Sequence, residues 1–206
     1  MSSAYVIVAE GIDAIPDAGA IDKAIVIAAR QAINRATPRA RTAASREMRK
    51  QVAFPASYLS GNDARLRITK MATNDNLESV ITGRQRATSL ARFSRERDPA
   101  SARRKGGVNV EVKPGQARFM KGAFLVKLKA GNAKTDTQFN LGLAIRLKPG
   151  ERLRNKTQMQ QLDHNVYLLY GPSVDQVFRT VREDIAGDTR SFLEAEFRRL
   201  LDLRKV

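Results

Sequence analysis

Ala4 to Ala9 form a short apolar, β-favouring run that ends at Gly11 and predicts a strand. From Ala18 to about Val52 the spacing becomes helical, with Ile21, Ile25, Ala28, Ala32 and Ala36 on one stripe and Ala24 and Ile33 beside it. Small residues on that stripe predict close packing. Pro38 removes a backbone donor from this helix, which predicts a kink or break between Ala36 and Arg41. Phe54-Pro55 closes the helix. After a Ser-Gly-Asn-Asp turn at 60–63, RLRITKMA alternates Leu66 and Ile68 with Arg65, Arg67 and Thr69, and NLESVITG supplies a hairpin partner across TNDN at 73–76.

Three clean alternations follow. Val108, Val110 and Val112 form the first, and Phe124, Val126 and Leu128 the second. In the third, Phe139, Leu141, Leu143, Ile145 and Leu147 alternate with Asn140, Gly142, Ala144, Arg146 and Lys148. Each predicts a strand with one face on a core and one polar or small face. AGNAKTDTQ at 130–138 reads as a hairpin loop, and residues 148–163 as a polar excursion. Val166 to Tyr170 is a further apolar run. Helical spacing then returns at Val174, Val177, Phe178, Val181 and Ile185, and again at Phe192, Leu193, Phe197, Leu200 and Leu201, with a bend or break near Gly187-Asp188. The expected class is α+β: an antiparallel sheet packed with a long N-terminal helix and a C-terminal amphipathic helix. The 206 residues suit one domain, 1–206.

Charge adds a feature that periodicity does not show. The chain holds 37 Lys and Arg against 21 Asp and Glu, a formal charge of +16, which favours polyanions or acidic protein surfaces as neighbours. Much of the excess lies in one place. Between Gly83 and Gly107, Arg84, Arg86, Arg92, Arg95, Arg97, Arg103, Arg104 and Lys105 face only Glu96 and Asp98, with few apolar anchors. This predicts a long basic loop or arm, 84–107. Those eight cations and Phe93, the single aromatic available for stacking, are the candidate partner and assembly contacts.

Little in the sequence suggests catalysis. Zero cysteines and one histidine, His164, leave almost no material for thiolate metal sites, disulfides or a histidine-based triad, and the carboxylates show no metal-ligand spacing. His164 beside Asp163 reads as a surface residue, since no nucleophile accompanies it. No apolar stretch approaches the roughly 18–20 residues of a membrane span, and the N-terminus lacks the basic start of a secretory signal. In VYLLYGPSVDQVF (166–178) a strand, a glycine turn and a helix start could grip a phosphate. It has neither the second glycine of a dinucleotide fingerprint nor the Lys-Ser/Thr of a P-loop. The residues do fit a structural cap: Gly171 and Pro172 make the turn, Ser173 is the N-cap with Gln176 three residues on, Asp175 sits in the first turn, and Pro172 staples to Val177. No cofactor, metal or catalytic residue is predicted.

The order of these parts resembles the phage minor tail protein Z family, within the tail-completion and neck proteins of long-tailed phages. Three stretches carry the resemblance: AINRATPRARTAASREMR (32–49), KGAFLVKLKAGN (121–132) and LYGPSVDQVF (169–178). Between Gly131 and Tyr167 the chain is longer than the family pattern, so the strand at 139–147 and the polar excursion are an elaboration. The resemblance implies a non-enzymatic virion protein of the tail or neck, made in the host cytoplasm. It further implies a ring homo-oligomer, commonly sixfold, that contacts the tail terminator, the tail tube and the head-tail connector, with DNA passing nearby and no membrane partner. On this view 84–105, and 148–163 after it, order only on assembly, by docking on acidic surfaces of neighbours. The rival reading is a nucleic-acid-binding protein that uses the basic arm and the basic half of the first helix.

Overall fold

In the computed structural model the residues described are 4–8, 23–61, 64–96, 99, 106–129, 139–151 and 159–203. The chain divides into two compact units, both discontinuous in sequence: Met1–Met48 with Ala56–Gln85 and Val174–Val206, and Arg49–Pro55 with Arg86–Ser173.

The first unit carries the long helix α1 (Lys23–Gln51) as far as Met48. Pro38 does not end it. The helix runs uninterrupted through the proline, which sits on the exposed side, while Ala36, Thr37 and Ala40 around it are buried. Burial of that face outweighs the one backbone bond Pro38 cannot make. The short α2 (Ala56–Ser60) follows, and β1 (Ala4–Val8), β2 (Leu66–Lys70) and β3 (Glu78–Gly83) form an antiparallel sheet in the order β1-β3-β2. Asn34 of α1 clasps the β2–β3 connection. Its Nδ2 donates to the Ala72 carbonyl at 2.9 Å, while its Oδ1 accepts from the Ala72 N–H at 2.8 Å and from Ser79 Oγ at 3.2 Å.

The C-terminal helical segment splits in two. α3 (Val174–Val181) and α4 (Ala186–Asp202) are separated by a turn at 182–185, and Gly187 lies inside α4 instead of marking the break. Ala28 and Ala32 on α1 meet Leu200 on α4, with Leu193, Phe197 and Leu201 around them. Alanines here admit the larger side chains of α4, as ridges-into-grooves packing requires. Arg39 lies 4.6 Å above the Phe192 ring, and Glu196 accepts hydrogen bonds from both Arg199 and Arg35.

The Arg199 hydrogen bond first, then that of Arg35, holds the Glu196 carboxyl down to about 2. A carboxylate whose folded pKa is depressed stabilises the fold above its unfolded value, and that contribution disappears as pH falls through the folded value. Acid titration from about pH 5 to pH 2 should therefore lower the melting temperature less steeply in Glu196→Gln than in the parent chain. Parallel curves would show that this cluster does not couple to folding.

In the second unit β4 (Ala87–Ser89), β7 (Ala123–Lys129), β8 (Phe139–Arg146) and β10 (Val166–Ser173) form a sheet in the order β4-β10-β8-β7, and β9 (Met159–Asp163) also pairs with β10. β5 (Gly107–Lys113) and β6 (Gln116–Lys121) form a separate antiparallel ribbon. All pairings are antiparallel. The small face of β8 is covered: Ala144, Val166 and Leu168 cluster with Phe124, Val126, Leu128 and Tyr170. Gly142 is part of this closure, since a Cβ there would stand 2.8 Å from Leu128 Cδ1 and 2.9 Å from Leu168 Cδ2.

Candidate assembly surface

The basic arm expected over 84–107 is partly built into the fold. Residues 87–89 are β4, and Leu90–Phe93 form a 3-10 turn capped by Ser89, whose Oγ accepts from the Ala91 N–H at 3.3 Å. Phe93 is buried, and its ring centroid lies 5.5 Å from that of Phe54. It is a core residue with no face left for stacking on a partner, which corrects its reading as a contact. Ser94 then bridges to Val110 of β5. Compositional bias concealed this order, because three well-placed residues, Thr88, Ala91 and Phe93, anchor the segment despite the surrounding arginines.

Glu96 is the residue the sequence did not single out. It is 6% exposed, its Oε2 accepts from the Asn109 N–H at 3.1 Å, and its Oε1 accepts from Asn109 Nδ2 at 3.3 Å. Ser94 Oγ donates to its backbone carbonyl at 3.0 Å. A lone acid in a run of arginines looks like residual charge balance, whereas here it fastens the run to β5. Nearby, Arg95 pairs with Glu111 at 2.8 Å. That bond, and the Gly115 N–H donated to the same carboxylate, hold the Glu111 carboxyl below its usual range.

The predicted contact residues therefore occupy different settings. Arg86 and Arg95 are exposed, and Arg84 and Arg92 are half-buried. Arg84 is tied at its backbone, donating to the Arg65 carbonyl at 2.8 Å and accepting from the Asp175 N–H at 3.1 Å. Arg97, Arg103, Arg104 and Lys105 lie outside the described residues. The 148–163 excursion is likewise part structured, as its last five residues form β9.

Gly171, Pro172 and Ser173 are strand residues. β10 continues to Ser173, pairs with β4, and shifts register between Gly171 and Ser173, so Pro172 sits where the ladder is irregular and a missing N–H is tolerated. Gly171 is needed for closeness, not for an unusual φ. A Cβ there would lie 3.0 Å from Leu90 Cδ2 and 3.3 Å from Phe93 Cε2. Ser173, buried, ends β10 and directly precedes α3, with Gln176 in the first turn of that helix. Asp175, also buried, pairs with Arg179 at 2.9 Å.

Among the described residues no group of three or more potential metal ligands occurs, and no helix is long and apolar enough to cross a membrane. Residues 11–203 match the family model for prophage minor tail protein Z (GPZ).

The chain belongs to that family.

This makes it a phage minor tail protein, a structural component of the virion tail. No curated protein and no solved structure matches the chain. For a minor tail protein the relevant surfaces are those that can meet other proteins. Among the described residues the large hydrophobic side chains that stand exposed are Met71, Phe119, Leu162 and Leu203. Phe119 lies on β6 and Leu162 on β9, strands whose residues are nearly all exposed. Sequence pattern did not reveal β6, because QARFMK lacks the apolar alternation of a half-buried strand.

Proposed function

We propose that this minor tail protein completes the tail at its head-proximal end, assembling as a ring that makes the tail competent to join a head. The observation that carries this reading is the family match over nearly the whole chain, residues 11–203. The surface is consistent with it: exposed edge strands and exposed apolar side chains suit subunit contacts, and neighbours would include the tail terminator, the tail tube and the head-tail connector. The protein acts by binding and positioning, without chemistry of its own. The decisive experiment is to remove the protein from the infecting phage and image the products. Full heads and full-length tails that stay unjoined, and that join when purified protein is added, are expected. Normal particles from the deletion, or tails of aberrant length, would overturn the reading.

Helix α1 motivates a second reading. Arg46 and Arg49, one turn apart in its basic second half, are exposed, and such cations would suit contact with DNA phosphates. Retention of arbitrary duplex DNA at physiological salt, with a steep log-log salt slope, would favour that reading, and no retention would favour protein contacts alone.

A further inference from the structure

We propose that β6 of one copy docks antiparallel along β9 of the next, with Phe119 against Leu162 and Arg118 against Asp163. This rests on the ring assembly proposed above and names the surfaces that would build it. The starting observation is two open strand edges on the same unit. β6 pairs only with β5, and β9 only with β10, among the described residues. An open edge presents unpaired backbone groups and invites another strand. The edge of β7 is a weaker candidate, because Ala123 and Leu125 are buried and Phe124 and Val126 half-buried. On β6 only Met120 is even half-buried, and on β9 only Met159.

Each of the two edges carries one large exposed apolar side chain, Phe119 at 51% and Leu162 at 48%. The origin of each exposure is visible. A Cβ on Gly107 would fall 2.5 Å from Phe119 Cζ, so the phenylalanine lies across a glycine that cannot cover it. Leu162 falls at the register shift between Val166↔Asp163 and Tyr167↔Gln161, and a bulge of this kind re-aims its side chain.

Charge selects the pairing. β6 reads QARFMK, with Arg118 and Lys121 and no acid, and β9 reads MQQLD, with Asp163 and no base. Two β6 edges would bring cations together, and two β9 edges would bring Asp163 toward its copy. β6 against β9 removes both conflicts. An antiparallel register that opposes Phe119 and Leu162 automatically opposes Arg118 and Asp163, giving an apolar pair and an ion pair in adjacent positions. A parallel arrangement with the same apolar pair would put Met120 opposite Asp163 and lose the ion pair. Because the two edges differ, the contact is heterologous, and repetition of a heterologous contact closes into a ring where the rotation permits.

The chain has no cysteine, so introduced thiols report on this contact alone. Phe119→Cys and Leu162→Cys are made in separate chains, checked by thermal melting, and oxidised singly and as an equal mixture, alongside the parent chain in light scattering. Directly opposed antiparallel residues lie within disulfide reach. The mixture should give several-fold more covalent dimer than either variant alone, and a chain carrying both substitutions should give a ladder of higher species. Dimer from Phe119→Cys alone, or from Leu162→Cys alone, would mean a symmetric edge pairing and overturn the proposal. No dimer in the mixture while the parent scatters as a ring would also overturn it, leave ring assembly standing, and assign the β6 edge to a different tail protein. A monomeric parent with no cross-linking in the mixture would remove the ring reading and this contact together.

Discussion

Phe93→Ala is expected to destabilise the unit formed by Arg49–Pro55 and Arg86–Ser173 by about 3–5 kcal/mol, the range for truncating a buried phenylalanine. The ring is 4% exposed, packs on Phe54, and lies close to Gly171, where a Cβ would already stand 3.3 Å from Phe93 Cε2. Its removal empties the space between the 3-10 turn and β10, and the backbone on either side is held by pairing, through β4 with β10 and through the Ser94–Val110 bridge. Collapse into the cavity is therefore limited. Equilibrium unfolding in urea would measure the loss, and amide exchange at 87–96 should rise with it. An unchanged midpoint, with assembly lost in a fully folded variant, would return Phe93 to the role of a partner contact.

Gly83→Ala should cost about 1–3 kcal/mol, as overpacking does, and lie toward the upper end. The added Cβ would stand 2.9 Å from Asp175 Cα, 3.0 Å from Asp175 N and 3.2 Å from Val174 C. These are backbone atoms at the start of α3, fixed by the Asp175 N–H bond to the Arg84 carbonyl, and Arg84 is in turn bonded to Arg65. No side chain can rotate away. Gly187→Ala supplies the opposite sign: nothing lies within 4 Å of its Cβ position, it sits in α4, and it should stabilise by about 0.5–1 kcal/mol through helix propensity and unfolded-state entropy. Melting curves of the two variants should move in opposite directions. If both fall, Gly187 has a packing role that its open surroundings do not show.

These two positions illustrate how differently the sequence reports on local and distant demands. Gly83 closes a strand whose alternation is plain in ESVITG, yet nothing in that stretch names the helix, some ninety residues on, that touches it. The segment from Arg84 to Glu96 is a stronger case. Its composition is that of a solvated arm, yet Thr88, Ala91, Phe93 and Ser94 are buried along it, and so is the Glu96 carboxylate that holds Asn109. A mean over a window records many arginines. Folding depends on the few positions that meet a partner, here Phe54, Asn109 and Val110, all far along the chain.

By itself the sequence determined the elements with strong periodicity: α1, the hairpin of β2 and β3, the strands β5, β7 and β8, and the C-terminal helices. It also determined the basic charge, the absence of cysteine, and the family, because these depend on residues close together in the chain or on composition alone. Only the tertiary structure decided that Pro38 lies within an unbroken helix, that Gly171 serves close approach instead of a turn, that Glu96 is a buried fastener, and that Phe119 and Leu162 stand on open edges. Each of those outcomes is set by what packs opposite a residue, and an antiparallel fold brings those opposites from distant parts of the chain.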